Sequence, residues 1–153
     1  MTPNTSNSNQ HDANLEQTVR DALDRYPPLR MWQHSIQIQA NNGAVILSGS
    51  ARSQAEKQIA GNLARAVKGA TSVENQLIAD GDLEIAIAQA LATDARTRDA
   101  FPGVLVGVVF GTVYLKGTAV SDDVKKAASE IASKIGGILR VSNELVVLAK
   151  AAA

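Results

Sequence analysis

The chain has 153 residues, no cysteine, and fifteen basic against fifteen acidic side chains. Disulfides, thiolate metal ligands and cysteine nucleophiles are therefore excluded. Charge balances within each half (seven of each sign in residues 1–80, eight of each in 81–153) and only 3% of residues are aromatic, so the chain lacks both the basic field and the stacking platforms expected of a nucleic-acid partner.

Residues 1–12 are polar and low in complexity, and a disordered tail is expected there. The first ten residues have neither the basic n-region nor the apolar h-region of a secretory signal. No run approaches the roughly 18 apolar residues of a membrane span. The expectation is a cytoplasmic protein, or a periplasmic one if an export signal has been removed.

The first helix is expected from Asn14 as its cap, with Leu15, Val19, Ala22 and Leu23 on one apolar stripe. Tyr26-Pro27-Pro28 should end it. A hairpin follows. Ile36, Ile38 and Ala40 alternate with Gln37 and Gln39, Asn41-Asn42-Gly43 is a turn signal, and Val45 and Leu47 return to the core. Gly49 is expected to stop that strand. Ser53 with Glu56 forms a capping box for a second helix running to about Val67. Gly69 supplies its C-terminal turn, and Thr71–Ala79 closes the unit as a strand.

The remainder of the chain repeats this unit. A shift of 68 positions carries Leu15 onto Leu83, Gly43 onto Gly111, Gly49 onto Gly117, Gly69 onto Gly137 and Asn75 onto Asn143, without a gap. The shared positions are glycines and periodic apolar residues, the types that fix a backbone path and a core. In the second copy Asp82 is expected to cap the first helix. Thr93-Asp94 stands where the prolines were, which allows that helix to run a turn or more further. Ser121 with Asp122 and Asp123 opens the later helix, and Arg140–Leu148 closes the unit. The expected fold class is α+β: two consecutive αββαβ modules, each a three-stranded sheet with two helices on one face. The domains read as a tail over 1–12, repeat one over 13–80, repeat two over 81–149 and a frayed end over 150–153.

Two short motifs recur in the same register. Val45-Ile46-Leu47-Ser48-Gly49 returns as Val113-Tyr114-Leu115-Lys116-Gly117, and Gly69-Ala70-Thr71-Ser72-Val73-Glu74-Asn75 returns as Gly137-Ile138-Leu139-Arg140-Val141-Ser142-Asn143. With the αββαβ order, these resemble the BON domain family over residues 14–149. The resemblance implies a bacterial envelope or stress protein, and a domain that binds phospholipid or envelope surfaces. No export signal and no partner module accompanies the repeats in this sequence.

Catalytic and metal constellations are missing. The histidines are His11, in the polar tail, and His34, whose counterpart in repeat two is Pro102. Neither has a partner spacing for metal binding or for a base and nucleophile. Asp80-Gly81-Asp82-Leu83-Glu84 starts like a calcium loop, but its glycine is misplaced and Leu91 stands where the bidentate Glu belongs. A polar linker and helix cap is the expected role. No cofactor and no metal is expected. Asn75 and Asn143 share a strand face with inward apolar residues. They read as structural amides, or else as ligand or ion contacts. Trp32, beside Arg30 and Met31, reads as a loop plug over the core or as a membrane-interface indole.

Sorting the strands by their two-residue period separates the repeats. The core faces match: Ile36, Ile38, Val45, Leu47, Val73 and Leu77 against Val104, Val106, Val113, Leu115, Val141 and Leu145. The outer faces do not. Repeat one shows Gln37, Gln39, Ile46, Ser48, Glu74, Gln76 and Ile78. Repeat two shows Leu105, Gly107, Tyr114, Lys116, Ser142, Glu144 and Val146, with Val109 and Leu148 near the ends. Leu105, Val109, Tyr114, Val146 and Leu148 are the expected contact face, unless the chain covers them itself. The expected function is a non-enzymatic module that docks on a phospholipid or envelope surface. The alternatives are a protein–protein adaptor or homo-oligomer, and a small-ion or small-ligand sensor using the paired Asn residues.

Overall fold

The computed structural model of the chain describes residues 5–31, 35–100 and 103–148. It divides into two compact units, Met1–Ala79 and Asp80–Ala153.

The first unit opens with α1 (Thr5–Asp24). Leu15, Val19 and Leu23 are buried along one side of it, with Ala22 packed against the same core. The helix begins at Thr5, not at Asn14, so residues 5–12 are helical where a disordered tail was expected. Nucleation is the costly step of helix formation, and each residue added to an anchored helix costs little. The anchor is the buried stripe, with two polar ties beside it. Glu16 Oε1 accepts the Ala40 amide at 3.0 Å, and Arg20 Nη2 donates to the Ile36 carbonyl at 2.9 Å.

The prolines do end α1, and then start a helix of their own. α2 (Pro27–Arg30) has proline in its first positions, where the missing N–H has no partner to lose. It places Leu29 in the core, 2% exposed. Trp32 and His34 lie outside the described residues.

β1 (Ile36–Asn41) and β2 (Ala44–Ala51) form the antiparallel hairpin. Asn42 and Gly43 both take positive φ, 50° and 87°, as a primed two-residue turn requires. Gly49 was expected to stop β2, but the strand passes through it. At φ 105° it bends the chain where a Cβ would run into the Ser35 carbonyl oxygen. Beyond the bend, Ser50 and Ala51 pair with Ile78 and Ala79.

α3 (Gln54–Arg65) has the expected cap. Ser53 Oγ accepts the Glu56 amide at 3.2 Å, and Glu56 Oε2 accepts the Arg52 amide at 3.1 Å. The closing strand comes in two pieces, β3 (Ser72–Asn75) and β4 (Ile78–Ala79), both parallel to β2. Helices α1 and α3 enclose the core against the sheet, with Val45 and Leu47 at its centre.

The second unit repeats this order: α4 (Asp80–Thr93), β5 (Val104–Val109), β6 (Thr112–Ala119), α5 (Asp122–Ser133), β7 (Arg140–Asn143) and β8 (Val146–Val147). Its registers are those of the first unit moved by the repeat. Ile36↔Gly49 becomes Val104↔Gly117, and Leu47↔Asn75 becomes Leu115↔Asn143. Gly117 bends β6 at φ 111° without ending it, as Gly49 does β2. Ser121 Oγ caps α5 by accepting the Val124 amide at 3.2 Å. The α+β class and the two αββαβ modules are thus present, each with a split closing strand.

Two expectations for α4 fail. The helix begins at Asp80, not after an Asp82 cap, and it ends at Thr93 without the further turn. The chain instead turns back, and the buried Thr97 hydroxyl donates to the Leu91 carbonyl at 2.7 Å. That satisfies one of the carbonyls a helix end leaves open.

Candidate docking surface

The outer face of the second sheet is built from β5, β6, β7 and β8. Cross-strand register sets Leu105 opposite Lys116, Gly107 opposite Tyr114, Tyr114 beside Ser142 and Thr118 beside Val146. Leu105 is 67% exposed, Val146 63%, Leu148 51%, Val109 48% and Tyr114 36%. Their neighbours along each strand, Val104, Val108, Val113 and Leu145, are buried. The pleat thus separates two apolar populations, and burial of one side leaves the other in water. A single charge pair crosses this face among the described residues: Lys116 Nζ lies 3.6 Å from Glu144 Oε2, both exposed.

The outer face of the first sheet carries Gln37, Gln39, Glu74 and Gln76, all exposed, with Ile46 and Ile78 standing where Tyr114 and Val146 do. Gln76 donates to Glu74 there, at 3.0 Å. Only Ile78 is an exposed large apolar residue on that face among the described residues. The two units share a fold and a core pattern but present different surfaces.

Asn75 and Asn143 do the same structural work in each unit. Asn75 Nδ2 donates to the Lys57 carbonyl at 2.7 Å, and its Oδ1 accepts the Leu77 amide at 3.3 Å. Asn143 donates to the Lys125 carbonyl at 2.7 Å and accepts the Leu145 amide at 3.2 Å. Each amide ties a helix to the break in the closing strand, where the ladder leaves an N–H to be satisfied. Asn143 has a further partner, Ser129 Oγ at 2.6 Å. The counterpart of Ser129 is Gly61, where a Cβ would sit 2.7 Å from Asn75 Nδ2.

Sequence reasoning missed Asp80. Its carboxylate is 4% exposed and accepts from two backbone amides, Phe110 at 2.9 Å and Gly111 at 3.2 Å. It is a brace for the β5–β6 turn rather than a linker acid. The turn needs bracing because Phe110 sits at φ 51°, a conformation that bulky side chains disfavour. Glu84 Oε1 accepts the Val108 amide at 2.9 Å, as Glu16 does Ala40 in the first unit. The signal was present in the repeat: Asp12 and Glu16 fall on Asp80 and Glu84.

Among the described residues no cluster of three His, Cys, Asp or Glu could hold a metal ion, and none of the helices is long and apolar enough to cross a membrane. His11 is an exposed residue of α1.

These features define a class: a tandem of small α+β modules whose polar groups brace the fold and whose distinctive surface is an exposed apolar sheet face. The BON domain matches twice, at residues 11–81 and 79–149. The chain belongs to the BON domain family, as two consecutive copies. No curated protein matches it. Among solved structures it is similar to the C-terminal domain of CdsD, the structural protein of the type III secretion system of Chlamydia trachomatis. That likeness has a TM-score of 0.71 at 22% identity, and covers 90% of this chain and 67% of that one. Another CdsD structure from the same organism covers 88% of this chain and 92% of that one, at 14% identity and TM-score 0.45. At such identity the first likeness is one of fold.

Proposed function

We propose that this chain is a non-enzymatic docking module whose contact surface is the outer face of the second sheet. The observation that carries the proposal is the asymmetry between the repeats. Leu105, Val109, Tyr114, Val146 and Leu148 stand exposed in the second unit, where the positions one repeat earlier hold Gln37, Asn41, Ile46, Ile78 and Asp80, so the apolar surface is widened at three of the five positions. Contiguous exposed apolar surface marks contact sites, and covering one Leu or Val gains roughly 1.5–3 kcal/mol.

A protein surface is the occupant this geometry favours. The face is a pleated sheet, and the Lys116–Glu144 pair lies on it. Sinking that pair into hydrocarbon is costly, while a protein partner can leave it at a wet rim. A part in a protein assembly, of the kind the chlamydial protein's description names, is the corresponding proposal here. Docking on a phospholipid surface is the second reading. Its support is the family resemblance together with Tyr114, an amphipathic ring on the apolar face. With zero net charge, such docking would depend weakly on anionic lipid.

Flotation with neutral and with anionic vesicles separates the two. Protein that stays at the bottom with both lipids removes the phospholipid reading. Protein that floats, and stops floating in the Leu105→Gln, Val146→Gln double variant, removes the protein reading as the primary one. Unfolding of that double variant would instead mean that the chain covers the face itself, and would sink both.

A further inference from the structure

β7 is an edge strand. The second sheet runs β5-β6-β7, β8 also pairs with β6, and no strand lies on the far side of β7 among the described residues. The parallel ladder fixes which backbone groups face outwards. Glu144 donates its amide to the Leu115 carbonyl at 2.8 Å, and at the start of the strand the Gly111 carbonyl accepts from Leu139 at 2.8 Å and from Arg140 at 3.5 Å. Alternate residues of a strand direct their backbone groups to opposite sides, so the amides and carbonyls of Val141 and Asn143 point to the open edge. A groove lined by Ser129, Glu130 and Ser133 of α5 and by Leu139 and Val141 runs beside that edge. Leu139 in it is 81% exposed.

We propose that this edge pairs with the β7 edge of a second copy of the chain, antiparallel and about a two-fold axis at Ser142. The sequence around that axis is complementary to itself. Val141 falls opposite Asn143 of the second copy. Those are the residues whose backbone groups face outwards, so each such pair exchanges two N–H···O bonds. On the outer face Arg140 falls opposite Glu144 of the second copy, twice by symmetry. Ser142 meets Ser142 at the axis, without charge or bulk. Arg140 is exposed and has no ion pair among the described residues.

The duplicated edge in repeat one supplies the contrast. There Glu74 takes the place of Ser142, Ser72 of Arg140, Gln76 of Glu144 and Thr71 of Leu139. Pairing β3 with itself would set Glu74 against Glu74, and like charges directly opposite are destabilising. The change at Glu74 and the two changes that create the Arg140–Glu144 pair therefore favour self-pairing of repeat two over repeat one. A closed two-fold pair also removes the exposed edge, which is otherwise a template for open-ended association.

The inference concerns an edge and stands apart from the contact face proposed above. The test is the mass of the full chain in solution, by light scattering or sedimentation over a concentration series. A dimer is expected at high micromolar concentration. Ser142→Glu should abolish it or weaken it several-fold. Its fold should survive, as a far-UV spectrum would check, because repeat one carries a glutamate at this position. Arg140→Glu should weaken the dimer, and Arg140→Glu combined with Glu144→Arg should restore it. Leu105→Gln with Val146→Gln should leave it in place. A chain that stays monomeric, or a dimer indifferent to Ser142→Glu, overturns the proposal. A dimer lost only in the Leu105, Val146 variant does so too, and moves the contact to the sheet face.

Discussion

The two units are built on one plan and differ where the plan leaves freedom. Val45, Leu47 and Leu77 in one core have Val113, Leu115 and Leu145 in the other, all buried. The hydrogen bonds of Asn75 and Asn143 to the helix carbonyl and to the strand amide agree to within 0.1 Å. On the outward sheet faces, by contrast, nearly every position has changed. The comparison separates what the fold requires from what this copy adds. Positions that both units hold are read as fold. Positions where they part are the candidates for function.

The sharpest test of the shared part is in the cores. Leu47→Ala and Leu115→Ala each remove a fully buried side chain, and each should cost about 2–5 kcal/mol. If the units hold separate cores, hydrogen exchange should show loss of protection in the altered unit only. Loss of protection in both units from either substitution would break the comparison at its root.

Asp80 comes next. Its removal as Asp80→Ala leaves the Phe110 and Gly111 amides without their acceptor, at a cost of about 1–3 kcal/mol in the second unit. Asp12 occupies the same place in the first unit but is only half-buried, and the turn it faces carries Asn42 rather than Phe. Asn tolerates the left-handed region. Asp12→Ala should therefore cost less than Asp80→Ala, as denaturation midpoints would show. Equal costs would mean that the strained Phe110 does not set the demand for the brace.

A finer contrast lies at Ser129 and Gly61. Ser129→Gly would give the second unit the residue its twin has there. It should cost about 1–2 kcal/mol, from one lost hydrogen bond and a glycine in the helix interior. The partner Asn143 keeps its bonds to Lys125 and Leu145, so the unit should still fold cooperatively. A midpoint unchanged by Ser129→Gly would show that the 2.6 Å contact adds nothing to stability.

What could be read from the sequence follows the range of the forces involved. Ser53 and Ser121 were legible as caps because a cap acts within one turn. The first hairpin turn was legible because Asn42-Gly43 carries its own conformational preference, and the second because Gly111 falls on Gly43 in the repeat. The split of Leu105 from Val104, and of Tyr114 from Val113, follows from the strand period alone. The role of Asp80 was not legible locally, since its partners lie 30 and 31 residues away; only its recurrence at the position of Asp12 in the repeat marked it. The start of α1 was missed for a related reason: polar residues 5–12 have weak helical preference, and the anchored stripe that follows them carries the helix outward. Gly49 and Gly117 were read as strand ends because glycine breaks strands on average. Here the parallel partners β4 and β8 hold the chain beyond the bend.

The smallest expected effect concerns pH. Arg96 donates to Asp94 at 2.9 and 3.1 Å and to Glu130 at 2.8 Å. Hydrogen bonds from the Arg96 side chain hold the Asp94 carboxyl below the ordinary carboxylate value, and those to Asp94 push the Arg96 guanidinium up. The first unit has Tyr26, Pro28 and Asn62 at the matching positions, so it has no such network. A carboxyl lowered by folding contributes stability above its unfolded value, near 4, and that contribution fades as pH falls through its lower folded value. On acidification the second unit should therefore lose this increment while the first does not, and Arg96→Gln should abolish the difference. All three side chains are at the surface, where salt screens such pairs, so the effect should shrink further in high salt. A difference in acid sensitivity that survives both Arg96→Gln and salt would show that this surface network is not its source.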